Sequence, residues 1–408
     1  MALGKNKWHD RYPELGTGPI PVEPYVSPEY FEQERARVFR KTWLNIGRVE
    51  QIPQPGDYFV KDLAICNTSI LVVRGKDSEV HAFHNMCSHR GNQLVWDTKG
   101  RCQTFSCKFH GWTYALDGSL RHITDEHNFF GLKRETLGMT PVAVGTWEGF
   151  IFINMDPDPQ QTLPEYLGEG LRTSIRGYPF EDLSTNCFSW HTDVQANWKV
   201  AKDAFQEVYH ISTLHRRIIG DVYASKVNPY ANALDFTLYP PHGRVSLSAN
   251  PNRKLTGVES IVQGFGSTVL QQNNSASEKL PAGVNPTGYP HWSFDGLALF
   301  PNCLIYVSKG TYLTHIFWPI TENLTRWEIR TYSPQAETLS GRFSQEYGKV
   351  SFRDTLLEDA STLERTQTML RSGAKKEIVL QDEELLIRQH HKVTESFMNA
   401  SEGSQPNV

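Results

Sequence analysis

The chain has 408 residues, enough for two or three domains at roughly 150 residues each. Hydrophobic residues at 39% and aromatics at 12% exclude a disordered chain, and 41 Lys and Arg against 45 Asp and Glu exclude the basic excess that a nucleic-acid partner requires. Six cysteines are too few for a disulfide scaffold, no apolar stretch follows Lys5 and Lys7, and the apolar runs fall far short of the ~20 residues of a membrane helix, so a soluble, cytoplasmic protein without membrane contact is expected.

In chain order, the first predicted element is a helix over 27–42. Ser27 offers the N-cap, Pro28 sits in the first turn, and Glu29, Glu32 and Glu34 precede Arg35, Arg37, Arg40 and Lys41 in the order the helix dipole favours. From Trp43 to about Asp156 short strands alternate with turn residues, over 58–60, 70–74, 80–84, 112–116 and 149–154, with Asp117-Gly118 as a turn signal. The run Asp156-Pro157-Asp158-Pro159 marks a boundary, because consecutive X-Pro steps disfavour helix. Beyond it the pattern predicts strands over 187–195, 244–248, 296–308, 312–318 and 327–332, and helices over 198–210, 355–371 and 382–397. The stretch 250–290, rich in Gly, Asn, Ser and Pro, reads as one long loop. The domains implied are a helical segment 1–42, a β-rich domain 43–156 and a mixed domain 157–408.

Two Cys–His pairs are the sharpest signal. Cys87-Ser-His89-Arg-Gly91 and Cys107-Lys-Phe-His110-Gly-Trp112 each place a thiolate and an imidazole on a short turn, and 17 residues (90–106) separate them. Such a set suits a tetrahedral zinc site or a Rieske [2Fe–2S] centre, in which two His replace two Cys on one iron. Zinc fingers usually pair Cys with Cys and His with His at wider intervals, whereas each motif here mixes the types, and Gly91 and Gly111 let backbone fold tightly about a bulky cluster. The iron–sulfur reading is the better one. Cys66, Cys102, Cys187 and Cys303 have no partner motif and read as small buried residues.

A second signal lies on the predicted helix 198–210. Trp198, Ala201, Phe205 and Tyr209 form one stripe that should pack into the core, and Asp203, Glu207 and His210 form another on the opposite face. A polar stripe can be only a solvated helix face. His215, five residues beyond His210, can share a metal with it only if the helix widens or ends between them.

The two Cys–His motifs and the series Glu207-x2-His210-x4-His215 together resemble the Rieske non-haem iron oxygenase family, specifically its large α subunit. The resemblance runs from about Trp43 to Gln367 and includes Asp359-x4-Glu364-x2-Gln367, which matches that family's Asp-x4-Glu-x2-Gln helix. It implies an α+β fold, with a β-rich Rieske domain and a catalytic domain of helix-grip type built on an antiparallel sheet. It further implies one [2Fe–2S] cluster on Cys87, His89, Cys107 and His110, and one mononuclear Fe(II) on His210, His215 and Asp359. On the predicted helix 355–371 Asp359 flanks the apolar face of Leu356, Ala360, Leu363, Gln367 and Leu370, while Glu358 points almost directly away, so losing Glu358 should be nearly silent.

By the same resemblance the chain is a terminal oxygenase oxidising a hydrophobic, aromatic-type small molecule with dioxygen, fed by a ferredoxin or reductase. It would assemble as a homotrimer, with or without a small β subunit. Glu207, with Asp203 beside it, is implied to link a mononuclear site to the Rieske centre of a neighbouring subunit. Asp203, Phe205, Gln206 and Asn302 are pocket candidates by neighbourhood. Gly264-Phe-Gly266 does not continue as a dinucleotide fingerprint, which agrees with an external electron donor. The rival readings are a Rieske-type electron carrier, which needs only the first motif, and a zinc-stabilised binding module.

Overall fold

The computed structural model describes residues 7–265 and 280–400. Within them the chain divides into two compact units, one over Arg35–Tyr166 and one joining the residues up to Glu34 to those from Leu167 onward. Among the described residues no helix is long and apolar enough to cross a membrane.

The Arg35–Tyr166 unit is built from antiparallel strands. A four-stranded sheet runs in the order Val80–His84, Thr68–Arg74, Asp57–Leu63, Lys99–Arg101; a three-stranded sheet runs Ala143–Trp147, Phe150–Asn154, Leu44–Arg48. A second three-stranded sheet, Thr104–Ser106, Thr113–Ala115 and Leu120–His122, turns at Asp117-Gly118 as the sequence predicts. The aliphatic run Ile70–Val73 is fully buried, and Leu71 and Val73 pack with Tyr114, Trp112 and Leu116 around Cys87 and Cys107.

The predicted helix 27–42 is shorter than expected. The α-helix covers Pro28–Glu34, with Ser27 Oγ accepting from Tyr30 N at 3.0 Å, and Arg35–Phe39 forms a π-helical turn. Arg35 donates to Ile65 O at 2.8 Å and Arg40 to Cys66 O at 2.8 Å, and anchoring both guanidiniums on one turn widens the backbone between them.

The second unit carries a seven-stranded antiparallel sheet. Asn186–Val194 pairs with Leu324–Ser333, followed by Thr311–Thr321, Cys303–Ser308, Trp292–Leu299, His242–Ser248 and Asp235–Tyr239. The predicted strand 296–308 is two strands, because Pro301 lacks the N–H that a ladder needs. Within the expected loop 250–290 lies a helix, Gly257–Phe265, and residues 266–279 lie outside the described residues. The predicted helix 355–371 is the C-terminal half of one running Leu339–Arg371, whose first half contains Gly341 and Gly348 and so lacks a clear apolar stripe. The last predicted helix appears as a 3₁₀ turn, Asp382–Glu384, and a helix, Leu385–Asn399. Cys66 and Cys303 are buried as expected, but Cys102 is half-buried and Cys187 exposed, at an outer position of an edge strand.

A buried ion pair positions the segment that leads to the site. Lys199 Nζ and Glu34 Oε1 are 2.6 Å apart with both side chains fully buried, and Trp198 Nε1 donates to Glu34 Oε2 at 3.1 Å. Burial raises the Glu34 pKa and lowers that of Lys199, each opposed by the partner's charge. Glu34 is therefore no surface member of a helix-dipole series. Replacing one partner leaves an uncompensated buried charge, so Glu34→Ala should cost about 3–5 kcal/mol. Glu34→Leu combined with Lys199→Met should cost markedly less, as urea unfolding of the two proteins will measure.

Candidate metal centres

In the β-rich unit the two Cys–His turns face each other. Gly91 and Gly111 have φ of +73° and +74°, and their N–H groups donate to Cys87 O at 3.0 Å and Cys107 O at 2.9 Å, so each turn curls around its own cysteine. A Cβ on Gly111 would lie 2.8 Å from Thr124 Oγ1, which leaves glycine as the residue that fits. The rings of His89 and His110 are 4.7 Å apart, and His89 stacks on buried Trp112 at 5.0 Å with 9° between planes. On the cysteine side Asn92 Nδ2 approaches Cys107 Sγ at 3.7 Å. The Tyr114 hydroxyl lies 3.2 Å from Cys87 Sγ while accepting from Ser88 N at 3.0 Å, which directs its proton to the sulfur.

The donors thus sort into a sulfur pair and an imidazole pair. No three of their ligand atoms fall within 4.8 Å of one another. One tetrahedral zinc, with Zn–S near ~2.3 Å and Zn–N near ~2.0 Å, would draw all four within about 4 Å. A two-iron cluster, with sulfurs on one iron and imidazoles on the other, fits the pairing.

The other site is built where a helix stops. Asn197 caps the helix Trp198–Asp203, its side chain accepting from Lys199 N at 3.0 Å. The helix ends at Asp203, seven residues before the expected end, because the Glu207 carboxylate accepts from Tyr209 N and His210 N and takes over backbone donors that a continuing helix would pair. Tyr209 is consequently 53% exposed, and the expected core stripe holds only at Trp198 and Ala201. Residues 204–219 form a string of turns that brings His210 and His215 to one place.

There they meet the long helix. Asp359 Oδ1 lies 3.0 Å from His215 Nε2 and 3.5 Å from His210 Nε2, and donor atoms of the three residues all fall within 4.8 Å of one another. Among the described residues this is the one cluster of three such groups. Asp359 is 2% exposed, yet its Oδ1 accepts no hydrogen bond of good geometry. A buried anionic oxygen left in this state calls for a cation. The outer ring nitrogens are both committed: His210 Nδ1 contacts Glu207 Oε1, and His215 Nδ1 lies 2.8 Å from Glu358 Oε2. Carboxylates on the Nδ1 atoms hold the ring protons there and leave the Nε2 lone pairs aimed at Asp359, an arrangement that suits a two-histidine, one-carboxylate iron site with open positions. Burial disfavours the His215 cation, but Asp359 and Glu358 outweigh it and raise its pKa above the ordinary histidine value, so the site favours positive charge.

Glu358 therefore does not point away. A helical wheel treats the helix alone, whereas His215 sits beside it, with one ring nitrogen toward Asp359 and the other within reach of the longer neighbouring side chain. The remaining motif residues clamp the two elements together. Glu364 Oε1 accepts from Gln195 N at 3.0 Å, and Gln367 Oε1 accepts from Asn197 N at 2.9 Å while its Nε2 donates to Tyr25 O at 3.0 Å.

Asp203 takes another direction. Its carboxylate accepts from Tyr25 Oη at 2.6 Å and from Gln206 Nε2 at 3.2 Å, and it stands outside the metal-ligand cluster. Among the pocket candidates Phe205 lines the cleft beside the cluster; Asp203, Gln206 and Asn302 do not. That cleft is walled by Phe205, Tyr223, Phe294, Tyr306, Leu313 and Phe352, with His315 among them. Among the described residues no lysine or arginine lines it. No local sequence pattern marks His315, which belongs to a strand and is surrounded by partners from distant parts of the chain.

A family model described as the ring-hydroxylating alpha subunit, catalytic domain, matches residues 180–400, and a Rieske [2Fe–2S] domain model matches 42–141. The carnitine monooxygenase oxygenase subunit of Acinetobacter baumannii is 31% identical over 202 residues, which are 50% of this chain and 54% of that protein. The alpha subunit of biphenyl 2,3-dioxygenase from Rhodococcus jostii is 32% identical over 223 residues, 52% of this chain and 47% of that one. The chain thus spans about half the length of the curated relatives it matches. In fold, a quaternary ammonium Rieske monooxygenase aligns over 95% of this chain and 97% of its own with a TM-score of 0.75 at 21% identity. Naphthalene 1,2-dioxygenase from Rhodococcus sp. aligns over 96% of each chain with a TM-score of 0.72 at 19% identity.

Carboxylates that orient metal-bound histidines are typically worth about 10–100-fold in metal affinity. Glu358→Ala should lose mononuclear iron by that factor while the visible absorption of the cluster is unchanged, which iron titration of the variant will test. An unaltered iron affinity would remove Glu358 from the site.

Proposed function

The chain belongs to the ring-hydroxylating alpha-subunit family, and we propose that it is the terminal oxygenase of a multicomponent system, oxidising an uncharged, largely apolar organic molecule. The observation that carries this reading is the convergence of three lone pairs, from His210, His215 and Asp359, at the edge of an apolar cleft. Iron held there would supply dioxygen activation, with electrons from an external ferredoxin or reductase reaching it by way of the [2Fe–2S] centre on Cys87, His89, Cys107 and His110. Glu207 and Glu358 keep the Nδ1 protons of the two histidines and fix their ring planes. Phe205, Phe294, Phe352 and Leu356 exclude water from the place where the substrate sits. We assign Glu207 to the link between this site and the Rieske centre of another copy in a homotrimer, since its carboxylate already holds a proton of His210. An electron carrier would have no use for the second set of donors.

The lining supports one class of substrate over another. Among the described residues it has many rings and no cationic side chain, so a carboxylate brought there would lose its hydration without a partner. That favours an aromatic or otherwise apolar substrate over a zwitterion such as carnitine. A quaternary ammonium group without a carboxylate is the second reading, favoured by the likeness to carnitine and choline monooxygenases at 31% identity and by the aromatic walls.

A single turnover separates them. Protein reduced anaerobically is exposed to isotopically labelled dioxygen with biphenyl, choline or carnitine, and products are weighed by mass spectrometry. Labelled product is expected from biphenyl and none from carnitine, and Leu313→Trp, which fills the cleft, should abolish product while iron and cluster content stay unchanged. Oxidation of choline in place of biphenyl would establish the quaternary ammonium reading instead, and oxidation of carnitine would overturn the exclusion of a carboxylate from the cleft.

A further inference from the structure

The polar groups of the cleft are almost all committed to other parts of the protein. Tyr306 Oη donates to Phe205 O, Ser308 Oγ lies 3.0 Å from Thr311 O and 2.9 Å from Thr311 Oγ1, and Tyr312 Oη meets Ser184 Oγ at 2.6 Å. Tyr223 pairs with Ser293, and Thr355 Oγ1 donates to Ser351 O at 2.9 Å. Glu207 holds His210, and the three metal-site groups face one another.

His315 is the exception. It stands on the strand Thr311–Thr321, on the face that Leu313 and Phe317 share, and is 2% exposed. Phe205 stacks on its ring at 4.9 Å and Trp327 at 5.6 Å, with interplanar angles of 29° and 20°; Tyr306 meets it at 5.5 Å and Phe352 edge-on at 6.2 Å. Its one hydrogen bond among the described residues joins Nδ1 to Trp327 Nε1 at 3.0 Å.

That bond settles the position of the proton. An indole N–H can only donate, so Nδ1 is an acceptor and carries no hydrogen. The neutral imidazole must then have its hydrogen on Nε2, and the doubly protonated form would destroy the bond to Trp327. Burial among rings acts in the same direction, pushing the His315 pKa down to about 3. The Nε2–H has no acceptor among the described residues, and His315 is part of the cleft wall.

We propose that the His315 Nε2–H is the hydrogen-bond donor that orients the substrate. On this assignment the cleft holds an uncharged molecule with an apolar, ring-bearing body and one acceptor, such as a ketone, ether or ring nitrogen, more tightly than a hydrocarbon of the same shape. The inference rests on the cleft being the substrate site. Trp327 is a positioning residue here: it fixes which nitrogen of His315 holds the proton and braces the ring against Phe205.

A matched pair of probes tests it. Acetophenone and α-methylstyrene have nearly the same shape, but only the ketone accepts a hydrogen bond. Their affinities are measured on the anaerobic holoprotein by calorimetry, for the wild type, His315→Phe and His315→Gln. His315→Phe should weaken acetophenone about five- to tenfold, the size of one hydrogen bond, while leaving α-methylstyrene within about twofold. His315→Gln, which restores a donor, should recover most of the loss. Should His315→Phe fail to fold, Trp327→Phe lets the proton move to Nδ1 and should weaken the ketone selectively. Equal changes for both probes, no change for either, or failure of both to bind the wild type would overturn the assignment. Leu313→Trp tests the underlying reading separately: it must abolish binding of both probes if this cleft is the substrate site, whatever His315 does.

Discussion

Everything in the catalytic unit converges on one buried oxygen. Asp359 Oδ1 is an acceptor on a carboxylate only 2% exposed, with two imidazole nitrogens within 3.5 Å and no well-formed hydrogen bond. Anionic oxygen removed from water at this depth costs several kcal/mol unless a cation compensates it. The surrounding structure supplies the geometry for one. Two further carboxylates occupy the outer nitrogens of the histidines, so both rings can turn only their lone pairs toward Asp359.

This geometry requires two segments far apart in sequence to hold a fixed register. The long helix brings Asp359 and Glu358, and the turns after Asp203 bring His210 and His215. Glu364 and Gln367 tie the helix to the backbone at Gln195 and Asn197, just before the capped helix Trp198–Asp203. The buried Lys199–Glu34 pair holds that same short helix from its other side. Removing the regular helix after Asp203 is part of the same solution, because on a regular helix His210 and His215 would diverge.

Much of this was legible in the sequence. The mixed Cys–His turns with their glycines, the spacing of Glu207, His210 and His215, and the aspartate beside an apolar helix face are local patterns, and the structure brings each group together. What was not legible depends on partners distant in sequence. Glu34 looks like one acid in a dipole series until Lys199 is placed against it. Glu358 looks solvent-facing on a helical wheel until His215 occupies the space beside the helix. His315 is one histidine among fifteen until Trp327 from the adjoining strand settles its tautomer and the sheet turns it into the cleft. The early end of the helix at Asp203 was hidden for a related reason: the Glu207 side chain, three residues upstream of His210, competes for the backbone donors, and periodicity is blind to that competition.

The two centres divide the work between chemically distinct sets of ligands, sulfur and imidazole in one unit and imidazole and carboxylate in the other. Metal analysis therefore addresses the account directly. Protein purified without oxygen should hold about three irons per chain, two in the cluster and one in the mononuclear site, and Asp359→Ala should hold about two with an unchanged cluster spectrum. About two irons in the native protein, or three retained in Asp359→Ala, would contradict the assignment of that buried oxygen to a metal.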